Sequence, residues 1–206
     1  FLFFKLLFYI NMVISNIPIS KSALSAFCIY FSILGASLFG NTAFHSLILK
    51  SDGSLHAFGQ NNFGQLGDGT TVIKRTPTQI LASGVAQIAA GSSHSLILKT
   101  DGSLHSFGSN NRGQLGDGTN TNRTTPTQIL ASGVAQIAVG RNHSLILKSD
   151  GSLYSFGYNT YGQLGDGTTN DRNTPTQILA SGVAQIAAGA EHSLIVKTVT
   201  KTCSVS

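Results

Sequence analysis

The 206-residue sequence contains no tryptophan, one methionine, two cysteines and four prolines, and only 10% of its residues are charged. Two cysteines cannot form the disulfide network of a small secreted scaffold, and they lack the paired spacing of a zinc site. With 41% hydrophobic residues, the chain is too apolar for a disordered protein. The 23 glycines follow no G-X-Y period, which excludes collagen and indicates a β protein rich in turns.

The formal net charge of +5 is the one compositional feature that suggests nucleic-acid binding. Three of the cations, however, lie near the two ends of the chain, at Lys5, Lys21 and Lys201. Between His45 and Lys197 ten cations face eight anions, which leaves an excess of +2, and there is no basic run. We therefore expect no nucleic-acid partner.

Residues 1–40 differ in composition from the rest of the chain and contain two apolar stretches, the second from Ala23 to Gly40. Read from Met12, a polar start, an apolar core and small residues at 35–37 match a secretory signal peptide. A membrane anchor is the alternative, because the stretch approaches the ~20 residues that span a bilayer. A third interpretation is that residues 1–11 are translated upstream sequence. We expect a secreted or surface-displayed protein that contacts a membrane only through residues 1–40.

The rest of the chain repeats one unit. The motif HSLILK begins at His45, His94 and His143, and HSLIVK begins at His192, each 49 residues after the one before. The repeat domain, residues 41–199, therefore divides into copies at 45–93, 94–142 and 143–191 and a partial copy at 192–199, and a tail follows at 200–206. The first two copies agree at 37 of 49 positions, which indicates recent duplication of one structural unit.

Each copy predicts four short strands. HSLILK is an apolar run that an Asp-Gly pair separates from a returning strand such as SLHAFG, and we expect a type I′ hairpin turn there. After the loop GQLGDGT, TPTQIL predicts a third strand and VAQIAA a fourth. Four short strands in about 50 residues, repeated in tandem, are typical of a β-propeller blade. The sequence therefore predicts an all-β fold of propeller-type blades, each with four antiparallel strands.

The copies also contain the motifs G-x-x-H-S-L-x-L-K-x-D-G-x-L, F-G-x-N-x-x-G-Q-L-G-D-G-T and T-P. These motifs resemble the repeat of the regulator of chromosome condensation family, over about 155 of the 206 residues. The resemblance implies a propeller, usually of seven blades, in which the repeats are offset against the blades. The family commonly has tryptophan on the second strand, where this chain has Phe58, Phe107 and Phe156. Propellers have four to eight blades, so three copies and a partial fourth predict an open or partial propeller.

Nearly every polar residue of the repeats occurs in triplicate, whereas a catalytic site is an asymmetric constellation, so we predict no enzyme, cofactor or metal site. We expect the histidines of HSLILK to bond backbone within their own blade rather than to form a metal ring. The Asp-Gly aspartates are explained as turn formers, at Asp52, Asp101 and Asp150. The aspartates of GQLGDGT are expected to bond local backbone amides, at Asp68, Asp117 and Asp166.

The positions that vary between copies fall in predicted loops or at strand junctions. They are 60, 109 and 158; 63, 112 and 161; the stretches 71–75, 120–124 and 169–173; and the pairs 92–93, 141–142 and 190–191. Loops on a rigid scaffold are the usual place for recognition. Five of these residues are of types that anchor protein interfaces: Phe63, Arg112, Arg141, Tyr158 and Tyr161. Drift at unconstrained loop positions is the alternative.

The residues thus favour a non-catalytic protein-binding module that presents variable loops. The resemblance implies two further interpretations, a secreted propeller that inhibits an enzyme and a guanine-nucleotide exchange factor for a small GTPase. A third alternative is an incomplete fragment of a longer propeller. Open ends would expose strand edges, so self-association of two chains is another way to complete a ring.

Overall fold

The computed structural model describes residues 43–198. The predicted leader at 1–40 and the predicted tail at 200–206 lie outside the described residues. In the described range the protein has thirteen β-strands. That range contains no helix with the length and apolar character needed to cross a membrane.

The strands are short and recur with the period of the sequence. They are β1 (His45–Leu49), β2 (Leu55–Gly59), β3 (Lys74–Leu81), β4 (Val85–Ala90), β5 (His94–Lys99), β6 (Leu104–Gly108), β7 (Arg123–Leu130), β8 (Val134–Val139), β9 (His143–Lys148), β10 (Leu153–Gly157), β11 (Arg172–Leu179), β12 (Val183–Ala188) and β13 (Ser193–Lys197).

These strands form four antiparallel sheets, which we number as the first to fourth blades: β1–β3, β4–β7, β8–β11 and β12–β13. A complete blade takes its first strand from the VAQIAA or VAQIAV segment of one copy and its other three strands from the next copy. The repeats are therefore offset against the blades, as the resemblance implied. The four-stranded antiparallel sheets and the unclosed array confirm the predicted fold class.

The Asp-Gly hairpin between β1 and β2 corrects the predicted turn type. Gly53 has a φ of 78°, but no non-glycine residue of the described range has positive φ, so Asp52 does not. The Gly53 N–H donates to the Lys50 carbonyl at 2.9 Å, and the Lys50 N–H donates to the Ser54 carbonyl at 3.0 Å. This pattern is a three-residue loop, a type I turn followed by a left-handed glycine in a G1 bulge. Asp-Gly predicted the hairpin correctly, but type I′ was wrong.

The hydrophobic core lies between blades. Each core cluster combines residues of two adjacent blades, for example Leu55 of the first blade with Ile97 and Phe107 of the second. Similar clusters join the second blade to the third and the third to the fourth. A blade therefore buries its faces only when it has a neighbour on each side, as expected for a repeat architecture.

Candidate functional site

The antiparallel strand order places two kinds of connection at opposite ends of each blade. One end carries the long loops 60–73, 109–122 and 158–171 and the short connections 91–93, 140–142 and 189–192, which together we call the loop face. Hydrogen bonds on the loop face join the long loops to the short connections, for example from the Tyr158 N–H to the Asn142 carbonyl at 2.9 Å. The variable positions identified in the sequence lie on the loop face or, at the end of stretches 71–75, 120–124 and 169–173, in the first residues of the adjoining strand.

Each long loop is organised around a buried asparagine that the sequence analysis did not identify. Asn110 donates through Nδ2 to Asp117 Oδ1 and to the Thr119 carbonyl, both at 2.9 Å, and its Oδ1 accepts from the Leu115 N–H at 2.9 Å. Asn61 and Asn159 make equivalent bonds in their own loops. The signal was an asparagine seven residues before the loop aspartate in every copy.

The loop aspartates bond local backbone amides, as predicted, and each also pairs with a cation six residues further on. Asp117 accepts from the Thr119 N–H at 2.9 Å and lies 2.6 Å from an Arg123 nitrogen. The equivalent pairs are Asp68–Lys74 at 3.2 Å and Asp166–Arg172 at 2.7 Å. Burial opposes ionisation of Asp166, but hydrogen bonds from Arg172 and Thr168 outweigh it and lower its pKa to about 2. These cations therefore stabilise the scaffold, although they lie in variable stretches.

The histidines of HSLILK connect adjacent blades, so the prediction of a bond to backbone within one blade was wrong. Nε2 of His45 lies 2.7 Å from Ser95 Oγ, and the same contact joins His94 to Ser144 at 3.1 Å and His143 to Ser193 at 3.2 Å. In each case the partner serine belongs to the next blade. The repeat spacing could not reveal this, because Ser95 is the equivalent in the next copy of Ser46, the residue that follows His45.

The same serines define which histidine nitrogen carries the proton. Ser95 Oγ donates its only proton to the Gln65 carbonyl at 2.9 Å, so the His45 Nε2–H donates to the serine and Nδ1 is unprotonated. Burial lowers the pKa of His45 to about 4 and, with nearby histidines, that of His94 to about 3. These neutral rings are structural groups, and the described residues contain no cluster of three or more His, Cys, Asp or Glu side chains suited to a metal ion.

The glycine-rich loop of one blade receives the phenylalanine of the next. A Cβ on Gly67 would lie only 2.9 Å from the Phe107 ring, and one on Gly116 only 2.8 Å from the Phe156 ring. Phe107 and Phe156 are fully buried. We call residues 64–69, and the same positions in the later copies, the loop cradle. The phenylalanine ring of one blade therefore packs into the loop cradle of the preceding blade.

Paired glutamines join the first strands of neighbouring blades. Gln136 on β8 donates through Nε2 to the Ile186 carbonyl at 3.0 Å, and its Oε1 accepts from the Ile186 N–H at 3.2 Å. Gln87 makes the same two bonds to Ile137. The side-chain amide of Gln136 thus bonds the Ile186 backbone as a paired strand would, although β8 and β12 belong to different sheets.

The structure brings three of the five predicted interface residues together. The Arg112 guanidinium carbon lies 5.1 Å from the Tyr158 ring centroid, and the rings of Tyr158 and Tyr161 meet edge to face with centroids 6.0 Å apart. Arg112 also pairs with Asp171 at 3.5 Å. We call these four residues the aromatic patch. It spans the junction of the second and third blades and is open to solvent, with Tyr161 70% exposed.

The other two predicted residues lie on the loop face outside the aromatic patch. Arg141 pairs with Glu191 at 3.7 Å, and Glu191 also accepts a hydrogen bond from Gln163 at 3.2 Å. Phe63 is 40% exposed and lies on the first blade at the position that Arg112 and Tyr161 occupy on the next two. The predicted residues thus share one face but do not form one continuous cluster.

Three segments of the chain match the family model of the Regulator of chromosome condensation (RCC1) repeat, at residues 52–98, 101–147 and 150–196. The chain belongs to this family. A second model with the same description matches residues 85–114 and 134–163. No curated protein matches the chain.

Solved RCC1 structures share the fold. The chain is 27% identical to Prp20p from Saccharomyces cerevisiae, reported with its binding properties to Gsp1p and histones, with a TM-score of 0.65 over 75% of this chain and 42% of that one. It is 25% identical to yeast RCC1 (Prp20) bound to Kap60, with a TM-score of 0.65 over 75% of this chain and 41% of that one. The chain therefore spans less than half the length of these two proteins.

Proposed function

We propose that this RCC1-repeat chain is a non-catalytic protein-binding module that contacts its partner through the loop face. The observation that carries the proposal is the distribution of variation between copies. Histidines, glutamines and loop aspartates make the same contacts in successive blades. The residues that differ and remain exposed are concentrated on the loop face. A constant scaffold with one variable face is the usual design of a binding repeat.

The aromatic patch supplies suitable chemistry for a protein partner. Tyrosine and arginine are enriched among residues that dominate binding energy at interfaces. Stacking against Arg112 and Tyr161 orders the Tyr158 ring before a partner arrives, which lowers the entropy lost on binding. Arg112 and Arg141 are each paired with a carboxylate, so neither adds unpaired positive charge for a phosphate backbone.

The similar structures support the same class of partner. Prp20p is reported with binding to Gsp1p and histones, and yeast RCC1 (Prp20) is reported bound to Kap60. Those partners belong to those proteins. For this chain they support a protein as the partner, without identifying it.

Affinity capture with a paired set of variants tests the proposal. Arg112→Ser with Tyr161→Ser changes two exposed side chains of the aromatic patch, and Ser83→Arg with Ser132→Arg changes exposed turns at the opposite end of the blades. We expect a partner captured by the wild type to bind the first variant at least about tenfold more weakly and the second unchanged. The reverse result would place the binding surface at the opposite end.

A guanine-nucleotide exchange factor is the second candidate function. The similarity to Prp20p over 75% of this chain supports it. Accelerated release of a labelled guanine nucleotide from Gsp1p by stoichiometric amounts of this chain is the expected result. Release at the intrinsic rate would count against exchange activity on this GTPase.

Residues 1–40 support a further proposal, that the protein is exported to the cell surface or medium. An apolar core followed by small residues at 35–37 is the supporting feature. Sequencing the amino terminus of the mature protein tests it. A terminus just after residues 35–37 supports cleavage, an intact terminus in membranes supports an anchor, and a soluble intracellular protein contradicts export.

A longer propeller that contains these repeats is the remaining alternative. The chain covers 42% of Prp20p, and the first and fourth blades have three and two strands within the described residues. Full-length sequencing of the transcript would reveal additional repeats if this alternative holds.

A further inference from the structure

The first and fourth blades have complementary strands. In the described residues the first blade has β1–β3 and lacks the first strand of a complete blade, whereas the fourth has that first strand, β12, followed only by β13. β12 has the same sequence as β4, VAQIAA, and residues 45–50 have the same sequence as β5, HSLILK. If β12 paired with β1 of a second copy, the pair would reproduce the β4–β5 pair residue for residue.

The loop cradle of the third blade is open. In the first blade a Cβ on Gly64 would lie 2.6 Å from Thr124, and one on Gly67 would lie 2.9 Å from the Phe107 ring. The equivalent atom on Gly162 would meet nothing within 4 Å, and the one on Gly165 would meet only Ile178 of its own blade, at 3.6 Å, among the described residues. The third cradle has the same GQLGDGT sequence as the other two but no described occupant.

The first blade has an accessible phenylalanine that could enter such a cradle. Phe107 and Phe156 are fully buried, whereas Phe58, at the same position of the first blade, is only half-buried. Ser95 is fully buried between blades, whereas the equivalent Ser46 is exposed. The surface that the second and third blades bury against a preceding blade is therefore still accessible on the first.

We propose that two copies of this chain close one ring, in which the β1–β3 sheet of each copy takes the place of β13 beside β12 of the other. Phe58 of the second copy then enters the third cradle of the first, and its Ser46 replaces Ser193 as the acceptor for His143. Each copy contributes two complete blades. Two further blades are shared, and each consists of β12 from one copy and β1–β3 from the other. The resulting six blades lie within the range of closed propellers, which have four to eight.

β13 and β1 of the second copy compete for the same edge of β12. We expect β13 to leave, because fewer contacts hold it in place. β1 pairs with β2 on its outer side, whereas β13 pairs with β12 alone among the described residues. Leu194 and Val196 on β13 are 53% and 54% exposed. The exchange replaces one ladder of backbone hydrogen bonds by an equivalent one, so the net gain comes from burying Phe58, the cradle and the exposed blade surfaces.

A double-cysteine experiment on the full 206-residue chain tests the exchange directly. In the β4–β5 pair Ala90 lies opposite Ser95, so the proposal places Ala188 opposite Ser46 of the second copy. Paired residues in an antiparallel sheet have Cα atoms about 4.5–5.5 Å apart, within the range of a disulfide. With Cys28→Ser and Cys203→Ser as background, Ser46→Cys with Ala188→Cys should give disulfide-linked dimers on oxidation.

The matched control is Ala188→Cys with Ser193→Cys, whose positions face each other within one chain. Rapid intramolecular closure of the control with no dimer from the test pair would overturn the proposal. It would then show that β13 stays in place.

Light scattering on the wild type and two variants without added cysteines separates strand exchange from other kinds of association. We expect the wild type to have twice the mass of one chain and Phe58→Ser to shift the equilibrium at least about tenfold toward monomer. Leu194→Lys with Val196→Lys should leave the dimer intact or strengthen it, because these residues lie on the displaced strand.

Three results from light scattering would also overturn the proposal. A monomeric wild type would mean that other residues of the chain, or further repeats of a longer protein, cover the open blades. Loss of the dimer in the lysine variant would show association through exposed apolar residues of β13. A dimer unaffected by Phe58→Ser would show association through another surface, such as residues 1–40. None of these results bears on whether the loop face binds a protein partner, since the aromatic patch lies elsewhere.

Discussion

Acidification from pH 7 to pH 5 should destabilise the blades, because buried histidines connect them in the neutral form. His45, His94 and His143 each use Nε2–H to reach a serine of the next blade. Their Nδ1 atoms are buried and have no hydrogen-bond partner among the described residues. A proton on Nδ1 would therefore add a charge and an unsatisfied donor inside the protein, and both are costly.

The sign and size follow from proton linkage. Burial lowers the pKa from an ordinary 6.5 to about 4 for His45, about 3 for His94 and about 4 for His143. Between pH 6.5 and about 4 the unfolded chain binds protons that the folded chain does not, so stability falls as the pH falls. Each histidine contributes about 1.4 kcal/mol per pH unit. Together they should remove about 5 kcal/mol between pH 7 and pH 5, a large part of the ~5–15 kcal/mol that stabilises a typical domain.

Urea unfolding at a series of pH values, followed by circular dichroism because the chain has no tryptophan, measures this effect. Asp166 does not obscure it, since hydrogen bonds from Arg172 and Thr168 hold its pKa at about 2, below the window. His94→Gln removes one of the three histidines that connect blades, so the contribution of these histidines to the pH dependence should fall by about a third, whereas His105, whose pKa burial also lowers, keeps its own contribution. Equal stability of the wild type at pH 7 and pH 5 would refute the assigned protonation state.

Three substitutions test contacts between and within blades, each by urea unfolding. Gly140→Ala should destabilise severely, because its Cβ would overlap the neighbouring histidine ring, whereas Gly133→Ala has open space and should cost only about 1–2 kcal/mol of backbone strain. Gln136→Ala should cost about 2 kcal/mol for two lost hydrogen bonds, whereas Gln128→Ala, at an exposed position of β7, should stay within about 0.5 kcal/mol of wild type. Asp117→Ala should cost about 3 kcal/mol, because Asn110, Thr119 and Arg123 each lose a hydrogen-bond acceptor. Wild-type stability in any of the three would contradict the contact concerned.

Much of the fold could be predicted from the sequence, because strands and turns depend on local pattern. The apolar runs at β1 and β2 and their 49-residue recurrence identified the blade, and the family motif supported it. The turn type was missed because Asp-Gly suits both a two-residue loop and the last two positions of a three-residue loop. Backbone hydrogen bonds from Lys50 and Gly53 distinguish the two, and they cannot be read from composition.

The candidate site was predicted less completely, because its contacts join residues from different copies. The sequence identified Arg112, Tyr158 and Tyr161 as separate variable positions, and only the docking of the third blade on the second brings the guanidinium to the Tyr158 ring. Their role in binding stays a prediction. The cation at position 123 looked like part of a variable recognition stretch, but the structure pairs it with Asp117.

Sequence alone determined the four strands of one repeat, the number of copies and the positions that vary, because these follow from local pattern and from comparison between copies. Tertiary structure decided which copy each side chain contacts. In a tandem repeat the partner of His45 has the same sequence surroundings in every copy, so pattern cannot distinguish Ser46 from Ser95. The distinction is geometric, since one blade must pack against the next to bury its faces, and it is also what leaves the first and fourth blades with surfaces that a second copy matches.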